Sequence, residues 1–323
     1  MKKIFIMSSG RTGSTFLCSH FKNYTYNPSV KVYNANEFFR FWPMQFWRHI
    51  NFLNDKNLDI PESFVDFMCK IVKYKKADQD NQEQFKWVAP HVEAYGKHNL
   101  GKDKAKFSKD IENGWPYSLN MIDDFCEQIA RLNNPNGASS IDYFINKHIS
   151  RISEINGDEW SYTNIMDKAD LVIVNYRHSI LDTFISLLKA LESKMWASKI
   201  YDPAYDNKFE WNINHFKDFA TKRYISHYER IKEGLAKINK PHFVVQYEEF
   251  TRPTTNGKEY LIQKFLQTGL FDTSDTDQLL IDKKRINMIK QSKPREFYED
   301  CFSNPEQFKK DYHQIKHLTT FTY

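Results

Sequence analysis

Apolar residues along the chain fall into short continuous runs separated by longer segments of helical period. Ile4 to Met7 is an apolar run bounded by turn residues, and it predicts a buried strand. Val30 to Asn34 and Phe85 to Ala89 predict two more strands. Asp170 to His178 contains the clearest, with Leu171 to Val174 continuous as in an interior strand of a parallel sheet. His242 to Thr251 reads as a strand leaving a polar end. Helical spacing of Ile180, Phe184, Leu187, Leu188 and Leu191 predicts a strongly amphipathic helix directly after Leu171 to Val174. Further helices are predicted over 61–77, 119–132, 141–155, 216–238 and 259–267, while residues 96–114 read as a surface loop and the tail from Asp282 as less regular. Strands alternating with helices predict an α/β fold of three layers, a central, mostly parallel sheet flanked by helices. No repeat or low-complexity linker divides the chain, so residues 1–323 read as one domain.

The first strand breaks into Ser8-Ser9-Gly10-Arg11-Thr12-Gly13-Ser14-Thr15 before Phe16 and Leu17 resume a helical pattern. Strand, Gly-rich turn and helix start in that order make a place for an anion, because free backbone N–H groups point into the turn. The same order is also that of an ordinary strand-turn-helix corner. In a nucleotide-triphosphatase loop a lysine follows the second glycine; here Ser14 stands there, and the cation is Arg11, before that glycine. A second candidate follows the Leu171 to Val174 strand. Arg177 sits where parallel-sheet proteins place ligand-binding residues, and Asp182 and Ser186, four apart, share a helix face. An arginine fork with a hydroxyl can clamp a phosphate; a guanidinium paired with a surface carboxylate would look the same in sequence.

Composition narrows the class. The 323 residues include 26 Phe and 18 Tyr, ample for a core. The net charge of +5 is spread along the chain, without a Lys/Arg block of the kind that binds nucleic acid. The four cysteines are isolated, without metal-ligand spacing, which points to a reduced, cytoplasmic setting. The apolar run after Lys2-Lys3 is too short for a signal peptide, and no run reaches the length of a membrane span.

SSGRTGSTFL resembles the 5′-phosphosulfate loop of the sulfotransferases that use 3′-phosphoadenosine 5′-phosphosulfate (PAPS), and YRHSILDTFISLL resembles their 3′-phosphate motif. FVVQYEEF, followed by a helix ending KFLQTGLF, is similar to a late element of the same family, and KQSKPREFYEDCFSNPEQF to the segment that closes over the nucleotide. Eight residues separate Arg177 from Ser186, one more than in many cytosolic members, and the spacing resembles that of bacterial carbohydrate and lipid sulfotransferases. Ser179 competes with Ser186 for the 3′-phosphate.

The resemblance implies a P-loop NTPase-like sulfotransferase fold with an acceptor-binding insertion roughly over residues 40–160. It implies PAPS as co-substrate, no required metal, and a carbohydrate, lipid or other small molecule as acceptor. Arg11, Thr12, Gly13, Ser14 and Thr15 would bind the 5′ end, and Arg177 and Ser186 the 3′-phosphate. Arg11 would also meet the leaving oxygen as a fixed, always-charged fork. The acceptor hydroxyl needs a base. Glu37, in ANEFF, looks like a catalytic glutamate of some bacterial members; His91, after the Phe85 to Ala89 strand, is the alternative. His20 reads as a core or partner residue. Two other classes remain open on sequence: a P-loop kinase of a small molecule, which would need magnesium, and an enzyme fold that only holds an anion or glycan.

Overall fold

The computed structural model describes residues 1–36, 38, 43–64, 119–132, 141–149, 161–193, 207–252, 254–281 and 298–323. Five strands form one parallel sheet: β1 (Lys2–Ser8), β2 (Val32–Asn36), β3 (Tyr143–Ile149), β4 (Leu171–Tyr176) and β5 (His242–Gln246), in spatial order β2-β3-β1-β4-β5. The central strand, β1, pairs Ile4 with Ile145 on one side and with Leu171 on the other.

Both faces of the sheet are covered, which is why β1 and β4 are apolar without alternation. Ile4, Ile6 and Ile173 pack under α1 (Ser14–Cys18), α9 (Gly257–Gln267) and α10 (Thr273–Leu279) through Leu17, Phe265 and Leu279. Phe5, Met7, Val172 and Val174 face the opposite layer. There lie α2 (Pro43–Asp55), α3 (Asn120–Ala130), α4 (Tyr162–Asp167), α5 (Ile180–Ser193), α6 (Ile213–Asp218), α7 (Ser226–Ile238) and α11 (Pro305–Ile315). A further one-turn helix, α8 (Tyr247–Phe250), leaves β5 directly. The architecture is therefore a three-layer α/β sandwich.

Helix α1 follows β1 on one face and α5 follows β4 on the other. The carboxyl ends of these neighbouring strands therefore form a topological switch point, the place where such sheets bind ligands.

Three elements differ from expectation. Residues 141–155 read as a helix, but Tyr143–Ile149 is β3, the strand between β1 and β2. Its apolar run, Tyr143 to Ile145, is cut short by Asn146-Lys147-His148; short apolar stretches of this kind do not distinguish helix from strand. The helix expected over 216–238 runs from Ile213 to Ile238 but passes through a π-helical stretch, Phe219–Ile225, between α6 and α7. The tail is more regular than its charge suggests, with Pro305 in the first turn of α11, where its missing N–H costs nothing. Helices at 120–130, 180–193 and 257–267 agree with the periodicity. The predicted strand at 85–89, the loop at 96–114 and most of the helix at 61–77 lie outside the described residues. Cys18, Cys126 and Cys301 are buried free thiols, and among the described residues no helix is long and apolar enough to cross a membrane.

Candidate functional site

Three neighbouring strands, β1, β4 and β5, end side by side, and each delivers a functional segment. After β1 the chain turns through Arg11 and Gly13, both left-handed, with φ of 67° and 77°. Left-handed backbone costs an ordinary residue about 1–2 kcal/mol, so Arg11 is held there by its surroundings. Thr12 is fully buried; its hydroxyl donates to the Ser9 carbonyl at 2.8 Å and accepts from Asn175 Nδ2 at 3.1 Å. The same Asn175 amide donates to the Thr12 carbonyl at 3.0 Å. Tyr228 accepts from the Ser9 N–H at 3.1 Å and donates to the Asn175 carbonyl at 2.8 Å. Thr12 thus shapes the loop from beneath, leaving Arg11 and the exposed Thr15 at its rim. Helix α1 has five residues and no side-chain cap, so free N–H groups rather than a summed dipole are what it offers an anion.

The π-helical stretch explains how the β4 end is secured. It brings Tyr224 and Tyr228 to the same strand end. Tyr224 accepts from the Arg177 N–H at 2.9 Å and donates to the Arg177 carbonyl. Burial against the sheet makes both phenols weaker acids.

Arg177 is held loosely between two carboxylates. Nη2 lies 3.4 Å from Asp182 Oδ2 and Nε lies 3.6 Å from Glu248 Oε1, both longer than a tight charge-assisted bond. Nε is buried with no hydrogen-bond partner among the described residues. Glu248 caps the start of α5, accepting from the His178 N–H at 2.9 Å and the Ser179 N–H at 3.2 Å.

The two sequence motifs meet here. Arg11 Nε donates to Ser186 Oγ at 3.0 Å, across 175 positions of sequence. Ser179 is occupied otherwise: its hydroxyl caps α5, accepting from the Asp182 N–H at 3.1 Å. Ser186 is thus the serine that faces the loop. On the other side of β1, the buried Lys147 of β3 donates from Nζ to Thr15 Oγ1 at 3.1 Å. Sequence reading missed Lys147 because it placed β3 in a helix; as a strand, 143–149 puts Lys147 on the same face as Ile145 and α1.

The opposite face of β3 carries buried polar groups. Asn146 Oδ1 accepts from the N–H of Phe38 at 3.1 Å, and its Nδ2 is unpartnered among the described residues. His148 is 1 % exposed, and burial lowers its pKa to about 4. His227, bonded through Nδ1 to the Tyr162 hydroxyl at 2.6 Å, is lowered to about 3 by burial and then by nearby His148. His49 pairs with the Tyr33 hydroxyl at 2.7 Å and is lowered to about 3, first by burial and then by Arg48. All three rings are neutral at ordinary pH.

Of the expected site residues, Arg11, Thr12, Gly13, Ser14, Thr15, Arg177 and Ser186 come together at one end of the sheet. His20 lies on the α1 layer, its ring against Phe16 and Phe250. Glu37 and His91, the expected bases, lie outside the described residues. Among the described residues no group of His, Cys, Asp and Glu is arranged to hold a metal ion. No family model, curated protein or solved structure matches the chain.

Proposed function

We propose that the protein is a PAPS-dependent sulfotransferase of P-loop-like fold, acting in the cytoplasm on a hydroxyl or amine of a carbohydrate, lipid or other small acceptor. The observation that carries this reading is the Arg11–Ser186 contact, which joins two separate anion-binding motifs into one site at adjacent strand ends. A nucleotide with phosphate at both its 5′ and 3′ positions matches a site with two arginines set on two different strand ends. The free thiols fit the compartment.

In this reading the acceptor oxygen attacks sulfur, the bond from sulfur to the bridging oxygen of the 5′-phosphate breaks, and adenosine 3′,5′-bisphosphate leaves. Arg11 and the N–H groups of Thr12 to Thr15 hold the 5′-phosphate and the negative charge growing on the bridging oxygen. Lys147, beside Thr15, supplies a second cation from the β3 side. Arg177 and Ser186 hold the 3′-phosphate, which anchors the reacting end in line. Glu37 takes the acceptor proton, with His91 as the alternative.

The test is a titration of the purified chain with adenosine 3′,5′-bisphosphate and with ATP and magnesium, followed by transfer from labelled PAPS to a panel of sugar and lipid acceptors. The bisphosphate is expected to bind tighter by about 1.5–3 kcal/mol, the value of a hydrogen bond to a charged group. Equal affinities would remove the basis of the reading, and magnesium-dependent phosphate transfer from ATP would replace it with a kinase.

A further inference from the structure

Between the two anion sites stands a side chain that neither site uses for binding. Tyr247 is the first residue of α8, at the end of β5. The Cδ2–Cε2 edge of its ring abuts Gly13: a methyl group built on Gly13 would come within 2.2 Å of Cδ2 and 2.4 Å of Cε2. The Arg177 guanidinium carbon sits 5.1 Å from the centroid of the same ring, in the range of a cation–π contact. One ring therefore touches the loop that ends β1 and the arginine that ends β4. The next residue, Glu248, ties the start of α5 to the same short helix.

We infer that Tyr247 is a positioning residue: its ring fixes the spacing between the Gly10–Gly13 loop and Arg177, and so lets the protein discriminate ligands with two phosphates from ligands with one. The inference rests on the proposed function for the identity of the ligand. The physical argument concerns where Arg177 goes without the ring. Its Nη2 already stands 3.4 Å from Asp182. Attraction to that carboxylate pulls the guanidinium toward a closed ion pair, in which its donors are turned away from a phosphate. The aromatic face offers a competing seat, and the ring's edge, set against Gly13, keeps the loop from following. The Tyr247 hydroxyl plays no part in this, so phenylalanine should serve equally.

The experiment compares affinities of the full chain for adenosine 3′,5′-bisphosphate and for adenosine 5′-phosphate, which lacks the 3′ group. Wild type is expected to prefer the bisphosphate roughly ten- to a hundredfold. Tyr247→Phe should keep that preference. Tyr247→Leu should reduce it to about threefold or less while leaving the monophosphate affinity within about twofold. Adding Asp182→Asn to Tyr247→Leu should restore part of the preference, because the competing carboxylate is gone; a general loss of structure would not be rescued this way. Should Tyr247→Leu fail to fold, Tyr247→Met is read by the same criteria. An undiminished preference in Tyr247→Leu overturns the positioning role while leaving the proposed function intact. So does a parallel loss of both affinities, which would assign Tyr247 to the loop alone. A wild-type protein without preference for the bisphosphate overturns the proposed function itself, and the inference falls with it.

Discussion

The two candidate anion sites are built by different means. The Gly10–Gly13 loop is held almost wholly by buried, directional hydrogen bonds: Thr12 to Ser9, Asn175 to Thr12, Tyr228 to Ser9 and to Asn175. Arg177 is held by hydrogen bonds between its backbone N–H and C=O and the Tyr224 hydroxyl, while its charged end floats between Asp182, Glu248 and the Tyr247 ring. Buried bonds of the first kind are stiff, because breaking one leaves a polar group without water, at about 1–3 kcal/mol. Partly exposed ion pairs of the second kind contribute about 0–1 kcal/mol and yield easily. The contrast suits the proposed chemistry. The site that meets the reacting bond must be fixed before the ligand arrives, whereas the anchoring site need only close on a phosphate once it is there.

The largest expected effect comes from acid, because among the described residues buried neutral histidines lie beside β1, the strand that delivers the first site. His148 lies on β3 opposite Met7, and His227 lies beside it. Their folded pKa values, about 4 and about 3, and that of His49, about 3, are below the usual 6.5. The unfolded chain therefore binds more protons than the folded one below pH 6.5. The stability these rings carry is complete above that pH and is lost as pH falls from 6.5 toward 3–4, by about 1.4 kcal/mol per pH unit for each ring. Denaturant unfolding followed from pH 7 to pH 5 should show this slope, and His227→Gln should lower the proton uptake on unfolding by about one. A stability flat over that range would mean that the rings are hydrated.

Smaller, but aimed at the reaction, is Arg11. Arg11→Met removes the cation from the loop without touching the bonds beneath it. Turnover with PAPS is expected to fall about 10² to 10³-fold, the loss typical of a group that stabilises a developing oxyanion. Arg11→Lys keeps the charge without the fork and should fall less. Nucleotide affinity should change less than rate in both. Near-normal turnover of Arg11→Met, measured with saturating acceptor, would show that the stiff site does not touch the reacting bond.

The difference between the sites also decides what the sequence reveals. The loop is legible because its signals are local: an apolar run, two glycines, one arginine and a helix start lie within a few residues. The pairing of β4 with α5 is legible for the same reason, since Leu171 to Val174 and the Ile180 to Leu191 face are contiguous. What supports them is not local. Asn175 has meaning only once β4 lies beside β1, Tyr224 reaches Arg177 only through a π-helical stretch, and Tyr247 arrives from a strand that follows by seventy positions. Lys147 and His148 were hidden by the helical reading of 141–155, because three consecutive polar residues at the end of an interior strand carry no period. Ser179 and Ser186 are alike in sequence; in the fold Ser179 caps α5, while Ser186 faces the loop through its contact with Arg11.

The smallest expected effect lies in the looser site, at Asp182. In the proposed function its carboxylate competes with a 3′-phosphate for Arg177, and it is 36 % exposed, so solvent weakens its hold. Asp182→Asn should therefore strengthen binding of adenosine 3′,5′-bisphosphate by about 0.5–1 kcal/mol, with little change for adenosine 5′-phosphate. Salt should shrink the gain as it screens the lost repulsion. The same substitution removes an acidic group from the first turn of α5, where it complements the helix dipole, so thermal stability should drop slightly, by about 0.3–1 kcal/mol. Affinity and stability then move in opposite directions, which separates competition from damage. A weaker bisphosphate affinity in Asp182→Asn would show that the carboxylate aims Arg177 rather than competing for it, and the second site would have to be regarded as preorganised like the first.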